Sequence, residues 1–166
     1  MTVRAATPHD AAAITAVYGH HVRHTLATFD LVPPTVDERA AWLADHAGGR
    51  HRVLVAERDG AVVGFASSGR FRPRPAYDAT VETSVYLAPD AVGRGLGRAL
   101  YAALFELLAE QDVHRALAVV AQPNPASEAL HRAFGFTHVG TFTEVGHKFG
   151  RYVDVAWFQK DIRPAG

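Results

Sequence analysis

The chain has 166 residues, of which 48% are hydrophobic and 20% are charged, proportions typical of a globular protein of one domain. Its 17 basic residues balance 17 acidic ones, so no overall positive field attracts nucleic acid or an acidic membrane surface. The absence of cysteine excludes disulfides, thiolate metal ligands and a cysteine nucleophile. We expect a single domain of residues 1–166 in the cytoplasm, because the sequence shows neither a signal peptide nor a membrane-spanning apolar run.

Hydrophobic periodicity predicts a mixed α/β protein with eleven elements. The expected strands lie at residues 3–5, 52–57, 61–69, 80–88, 116–121, 136–144 and 151–160, the last two separated by a polar loop at 146–150. The expected helices begin at Pro8 with Thr7 as N-cap, at Val36, in the turn at 93–98 and at residues 122–127. The resulting order, β-α-α-β-β-β-α-β-α-β-β, indicates a mixed sheet with helices on both faces.

A glycine-rich turn stands between the fourth expected strand and the third helix. It consists of Gly93, Arg94, Gly95, Leu96, Gly97 and Arg98. The first backbone N–H groups of a helix lack partners and lie at its positive end, and glycines let a phosphate approach them closely. The dinucleotide fingerprint requires glycine at the position of Arg98, and no Walker motif is present. The turn therefore predicts a diphosphate site, with a tight turn that binds nothing as the alternative.

The whole pattern resembles the GNAT N-acetyltransferase superfamily, and within it the phosphinothricin and methionine sulfoximine acetyltransferases. The resemblance spans residues 3–161 and rests on VETSVY at 81–86, GLG at 95–97, NPAS at 124–127, LH at 130–131 and KFGR at 148–151. It implies the GNAT acyl-CoA N-acyltransferase fold, splayed between the fourth and fifth strands, with acetyl-CoA as co-substrate and no metal. The superfamily loop begins with glutamine or arginine where this chain has Val92, a change that we expect to weaken one side-chain contact.

The resemblance also implies which residues hold acetyl-CoA. In the family the pantetheine arm pairs with the fourth strand, which places Val85, Tyr86 and Leu87 along it, with one backbone N–H polarising the thioester carbonyl. The glycine-rich turn would hold the diphosphate, and Asn124 and Ser127 would contact the pantetheine.

Two residues are the candidates for catalysis by direct transfer in a ternary complex. Glu82 matches a family glutamate, and a carboxylate there can take the proton of an alkylammonium, directly or through water. The alternative is a glutamate on the solvated face of the strand. His131 stands where many members have a tyrosine that protonates the leaving thiolate, and phosphinothricin-type relatives have histidine. Proton donation and simple packing against the cofactor both remain open for His131.

The acceptor is expected to be a small amino-acid-like amine, because arginines precede the catalytic strand where relatives bind substrate. Arginine grips a carboxylate or phosphinate in bidentate fashion, whereas the alternative is a solvated basic loop. Asp30 stands where the phosphinothricin enzyme has arginine, which leaves phosphinothricin itself open. The residues expected to bind substrate are Phe29, Arg72, Arg74, Pro75, Ala76 and Tyr77.

Further expectations concern the last hairpin and the histidines of the first helix. Relatives form homodimers through the late strands, and residues 153–158 suit such a contact, while Lys148 and Arg151 could reach a site in the same or a partner subunit. His20 and His24 lack a third ligand, so a metal site is not expected. The other functions considered are acetylation of protein N-termini or other small amines, and a non-catalytic acyl-CoA sensor.

Overall fold

The computed structural model describes residues 1–163, and the predicted order of its main elements is confirmed. The strands are β1 (Thr2–Ala5), β2 (Arg52–Arg58), β3 (Ala61–Arg70), β4 (Thr80–Leu87), β5 (Arg115–Ala121), β6 (Thr137–Lys148) and β7 (Arg151–Asp161). The helices are α1 (Ala11–His24), α2 (Val36–Asp45), α3 (Leu96–Ala109) and α4 (Pro125–Ala133). Among these helices, none has the length and apolar composition needed to cross a membrane. The last three residues of the predicted domain lie outside the described part.

The seven strands form one sheet in the order β1-β2-β3-β4-β5-β7-β6. All neighbours are antiparallel except β4 and β5, which are parallel and pair over three residues only, Thr80–Glu82 with Arg115–Leu117. Beyond Glu82, the described residues of β4 and β5 have no register with each other, although β4 remains paired with β3 as far as Leu87. One edge of β4 is therefore open in the middle of the sheet.

Two hydrophobic cores, one on each face, fix the orientation of β4. Helix α3 packs Leu100 and Leu104, both fully buried, in the core that also contains Val81 of β4. Helix α1 packs on the core that contains Phe65 and the half-buried Tyr86. Because successive side chains of a strand alternate between faces, Glu82 lies on the same face as Tyr86. The fold thus directs Glu82 toward the α1 and α2 side of the sheet.

The first helix begins differently from the prediction. Pro8–Asp10 form a turn of 3₁₀-helix, and the α-helix starts at Ala11. The buried Asp10 carboxylate accepts hydrogen bonds from the Thr7 N–H (2.7 Å) and from the Arg4 guanidinium (2.8 and 2.9 Å). This ion pair holds the pKa of Asp10 low and ties the tight first turn to β1, which explains the later start of α1.

The predicted loop at 146–150 is wrong, because β6 continues to Lys148 and a two-residue turn, Phe149 and Gly150, leads into β7. Both turn residues have positive φ (54° and 72°), as in the type I′ turn that joins twisted strands. A bulge shifts the register between Phe142 and Gly146, and at this bulge the Glu144 N–H donates to the Asp154 carboxylate (2.8 Å). The bulge interrupts the alternation on which a sequence-based strand prediction depends.

Candidate functional site

A cleft of about 560 Å³ opens where β4 and β5 diverge, and we call it the glycine-lined cleft. Its walls are β4, the end of β5, the turn before α3, and α4. It is lined by all the predicted cofactor residues except Arg94, namely Val85, Tyr86, Leu87, Gly93, Gly95, Leu96, Gly97, Arg98, Asn124 and Ser127. Arg94 is exposed and does not line the cleft.

The turn before α3 is shaped to receive an anion. Gly93 and Gly95 have φ of 78° and 77°, and no atom lies within 4 Å of a Cβ built on either residue. A side chain at these positions would be strained and would fill the open space. The N–H groups of Leu96, Gly97 and Arg98 belong to the first turn of α3 and lack acceptors within the helix. These residues all line the cleft, so backbone donors and the positive helix end meet there.

The open edge of β4 carries a histidine contact that the sequence did not reveal. The carbonyl of Leu87 lies 2.8 Å from Nε2 of His21. A carbonyl only accepts, so Nε2 carries the proton, and Nδ1, which lies 3.1 Å from the Thr25 hydroxyl oxygen, is unprotonated in the neutral ring. Burial lowers the pKa of His21, which favours this neutral form. The Leu87 carbonyl thus already accepts one hydrogen bond within the chain, and Val85 and Tyr86 line the same cleft.

A second cavity, of about 400 Å³, lies on the α1 and α2 side of β4, and we call it the Glu82 pocket. Glu82 is half-buried and pairs across the sheet with Gly69. Burial raises the pKa of Glu82, and the positive charge of Arg72 offsets part of that rise. Ser84 and Tyr86 line both this pocket and the glycine-lined cleft, so the two cavities meet at β4.

His131 is buried, with 4% of its surface exposed. Its Nδ1 lies 2.7 Å from the Ser127 carbonyl oxygen and its Nε2 lies 3.0 Å from the Tyr101 hydroxyl. Because a carbonyl only accepts, Nδ1 carries the proton, and in the neutral ring Nε2 accepts from Tyr101. Burial lowers the pKa of His131, which favours the neutral ring. Tyr101 also lines the cleft and was missed by the sequence analysis, because it resembles an ordinary core residue of α3.

The family model described as an acetyltransferase (GNAT) domain matches residues 3–157. The chain belongs to the GNAT acetyltransferase family. The resemblance predicted from its motifs is confirmed.

Two curated relatives and one solved structure extend this membership to the whole chain. A phosphinothricin N-acetyltransferase of Streptomyces coelicolor is 50% identical over 163 residues, covering 96% of this chain and 95% of the relative. An L-methionine sulfoximine/L-methionine sulfone acetyltransferase of Salmonella typhimurium is 39% identical, covering 98% and 95%. A protein of Salmonella typhimurium, solved with its cofactor acetyl-CoA, superposes with a TM-score of 0.96 at 37% identity, covering 100% of this chain and 96% of that one.

The loop before β4, which the GNAT resemblance predicts to bind substrate, contributes few residues to the two cavities. The exposed residues Arg74 and Pro75–Tyr77 line neither one, and only Arg72 is close enough to influence the pKa of Glu82. Pro75–Tyr77 form a 3₁₀ turn, and the Tyr77 ring packs edge-on against Phe71 at 5.6 Å. This turn places Arg74, Pro75, Ala76 and Tyr77 outside the Glu82 pocket, and their part in substrate binding stays a prediction.

Lys148, which we expected to reach a site in the same or a partner subunit, contacts the segment after α1 of its own chain. It is buried, with 3% of its surface exposed, and its ammonium donates to the carbonyls of Thr28 (2.7 Å) and Thr25 (2.8 Å). It therefore anchors the segment after α1 within its own chain instead of reaching a partner subunit. That segment carries Phe29, whose ring lies so close to Gly146 that an added Cβ there would come within 2.5 Å of it.

The segment of the late strands that was expected to form the dimer contact is mostly buried. In the segment 153–158, the residues Val153, Val155, Ala156 and Phe158 are buried in the core, so they are not available to a partner. The exposed apolar side chains of this hairpin include Val139, Phe142 and Val145 of β6. Residues 1–163 contain no group of three acidic, histidine or cysteine side chains placed to hold a metal ion.

Proposed function

We propose that residues 1–166 form one domain that transfers the acetyl group of acetyl-CoA to the α-amino group of a small amino-acid-like acceptor. The observation that carries this proposal is the meeting of the glycine-lined cleft and the Glu82 pocket at Ser84 and Tyr86. A thioester beside β4 and an amine beside Glu82 would then be neighbours, which makes direct transfer in a ternary complex possible. The names of the relatives support methionine sulfone, methionine sulfoximine or phosphinothricin as acceptors.

The residues of the cleft fit acetyl-CoA. The N–H groups at the start of α3 would bind the diphosphate, and the open edge of β4 would pair with the pantetheine amides. Asn124 caps α4, because its side-chain oxygen accepts from the Ser127 N–H at 3.1 Å, and this leaves its amide N–H₂ free to donate to the pantetheine. Bound acetyl-CoA supplies the activated thioester.

In the proposed reaction, Glu82 takes a proton from the ammonium group of the acceptor, directly or through water. The raised pKa of Glu82 makes its carboxylate a stronger base than an exposed glutamate. A backbone N–H of β4 would stabilise the negative charge that develops on the thioester oxygen. We propose that the Tyr101 hydroxyl, which lines the cleft together with His131, gives its proton to the leaving thiolate. Nε2 of His131 lies 3.0 Å from this hydroxyl and orients it, and the pair regains a proton from solvent when CoA leaves.

The test is thiol release from acetyl-CoA with a panel of acceptors. We expect turnover with methionine sulfone, methionine sulfoximine or phosphinothricin, and little with polyamines and short peptides. Turnover confined to peptides or other amines would favour the alternative acceptors and overturn the proposed substrate class. Acetyl-CoA binding without turnover on any member would favour a non-catalytic acyl-CoA sensor. Reactions without an amine control for simple hydrolysis.

The two arginines of the glycine-rich turn offer a matched test of the diphosphate site. We expect Arg98→Gln to raise the KM for acetyl-CoA about fivefold with kcat little changed, because an exposed charge contact contributes about 1 kcal/mol. Arg94→Gln is the control, since Arg94 does not line the cleft, and its KM should change less than about twofold. Equal effects of the two substitutions in initial-rate measurements would contradict this placement of the diphosphate.

We also propose that the enzyme is a cytoplasmic homodimer that packs through the exposed apolar face of β6. A charge at the centre of such a face would be buried without a partner, so we expect Phe142→Asp to yield a monomer by light scattering. Val36→Asp, at an exposed apolar residue of α2, should leave the dimer intact. A dimer that survives Phe142→Asp would exclude this surface, and cell fractionation tests the location.

A further inference from the structure

Arg39 of α2 is a buried cation without an anionic partner. It is 8% exposed, and its guanidinium carbon lies 4.6 Å from the ring centre of Tyr18 and 4.4 Å from that of Trp42. No salt bridge to Arg39 occurs within residues 1–163, and its buried Nε has no hydrogen-bond partner there. Buried charges in proteins are ordinarily paired, so this arginine requires an explanation.

The neighbouring acids do not supply the missing partner. The Asp30 carboxylate accepts a hydrogen bond from the Tyr18 hydroxyl, and its negative charge favours the charged form of Arg39 only from a distance. Burial has the larger influence and lowers the pKa of Arg39. The aromatic rings stabilise the cation through their faces, yet a ring cannot replace the bidentate hydrogen bonds that a carboxylate offers to guanidinium.

Arg39 lines the same 400 Å³ pocket as Glu82. Ser67 and Ser84, which pair across β3 and β4, also line it and add two hydroxyl groups. The pocket thus combines a buried positive group, a half-buried negative group and neutral hydrogen-bonding groups. An α-amino acid carries its ammonium and its carboxylate on one carbon atom, so this arrangement of charges is complementary to its zwitterion.

We propose that Arg39 binds the α-carboxylate of the acceptor, while Glu82 faces its amino group; this inference rests on the proposed function. It assigns recognition of the carboxylate to a buried residue of α2 instead of the exposed loop arginines. An exposed arginine such as Arg74 gains little from an ion pair, because water screens the interaction. Arg39 is already desolvated and held by two rings, so it loses little solvation or side-chain entropy when a carboxylate enters.

The test compares an acid with its neutral amide. We would measure KM and kcat for methionine sulfone and for methionine sulfone carboxamide with the wild type, Arg39→Lys and Arg39→Met. Loss of a charged hydrogen bond predicts a KM for the acid at least about tenfold higher in Arg39→Met. In Arg39→Met, the KM for the amide and the KM for acetyl-CoA should stay within about twofold of the wild-type values. The KM of Arg39→Lys for the acid should lie between those of the wild type and Arg39→Met.

The control is Arg132→Met, which removes an arginine stacked 5.6 Å above Phe158, outside both cavities. Thermal unfolding shows whether each variant is folded, and Arg39→Lys keeps the experiment informative if Arg39→Met is not. If Arg39 has only a structural role, its substitution would change the KM for the acid and the KM for the amide alike. That result overturns the inference while leaving the acetyltransferase function intact.

A binding measurement separates the inference from the proposed function. Calorimetric titration of methionine sulfone into protein saturated with CoA should show affinity that falls at least about tenfold in Arg39→Met. Binding that depends on Arg39 without acetyl transfer would contradict the proposed function and retain the carboxylate site. Binding or turnover that is indifferent to Arg39 would overturn the carboxylate site.

Discussion

We expect Glu82→Gln to lower kcat by about 10²- to 10⁴-fold, the usual contribution of a general base. Glutamine has nearly the same volume and can still pack on β4, but it cannot accept the proton of an ammonium group. The glycine-lined cleft contains no atom of Glu82, so the affinity for acetyl-CoA should change little. Glu106→Gln on the exposed side of α3 is the matched control and should retain full activity.

The pH dependence gives this prediction a second readout. Burial raises the pKa of Glu82, and only the ionised carboxylate can act as base. The kcat/KM of the wild type should therefore fall as the pH is lowered through a value above the ordinary glutamate pKa. Glu82→Gln should lack this acidic limb. Turnover close to that of the wild type, or an unchanged acidic limb in the variant, would exclude Glu82 as the base.

Among the proposed substitutions, Lys148→Met should lower the free energy of unfolding the most, by about 2–3 kcal/mol. The Lys148 ammonium donates to carbonyls of Thr25 and Thr28, and hydrogen bonds from a charged donor contribute about 1.5–3 kcal/mol. Methionine fills the space but leaves these carbonyls without a donor. For a protein of this length the loss corresponds to a melting temperature about 4–12 °C lower, measurable by calorimetry.

The same substitution should raise the KM for the amine, because Lys148 anchors the segment that carries Phe29 and Asp30. Lys160→Met is the matched control, since among residues 1–163 the Lys160 ammonium donates to a single carbonyl, that of Phe134 (2.6 Å). We expect a smaller loss of stability there and no change in the KM for the amine. If both lysine variants lose equal stability and activity, Lys148 has no special role in placing that segment.

The residues that could be predicted from sequence are those whose signal is local. Glycines next to a helix start and a glutamate within an apolar strand are visible in short windows, and the structure places both around β4. Motif resemblance added Ser127 and His131, whose positions on α4 depend on a short turn after β5. These features are fixed by neighbours in the chain, so local patterns sufficed.

Arg39, Lys148 and Tyr101 could not be predicted in their observed roles, because each depends on contacts between distant segments. Arg39 stands in a polar stretch that resembles the solvated face of a helix, and only the packing of α1 against α2 brings the ring of Tyr18 onto its guanidinium. Lys148 stands in a polar stretch that is typical of a loop, but β6 contains a bulge and continues to Lys148. No short window contains these partners together.

The sheet is joined at its centre by only three residue pairs between β4 and β5. A ligand that pairs with the open edge of β4 and contacts α4 would bridge the two halves of the molecule, acting as an additional structural element. Ligands that bind only the folded state stabilise it in proportion to the logarithm of their concentration. The resistance of this enzyme to heat and proteolysis should therefore rise with the combined concentration of acetyl-CoA and product CoA.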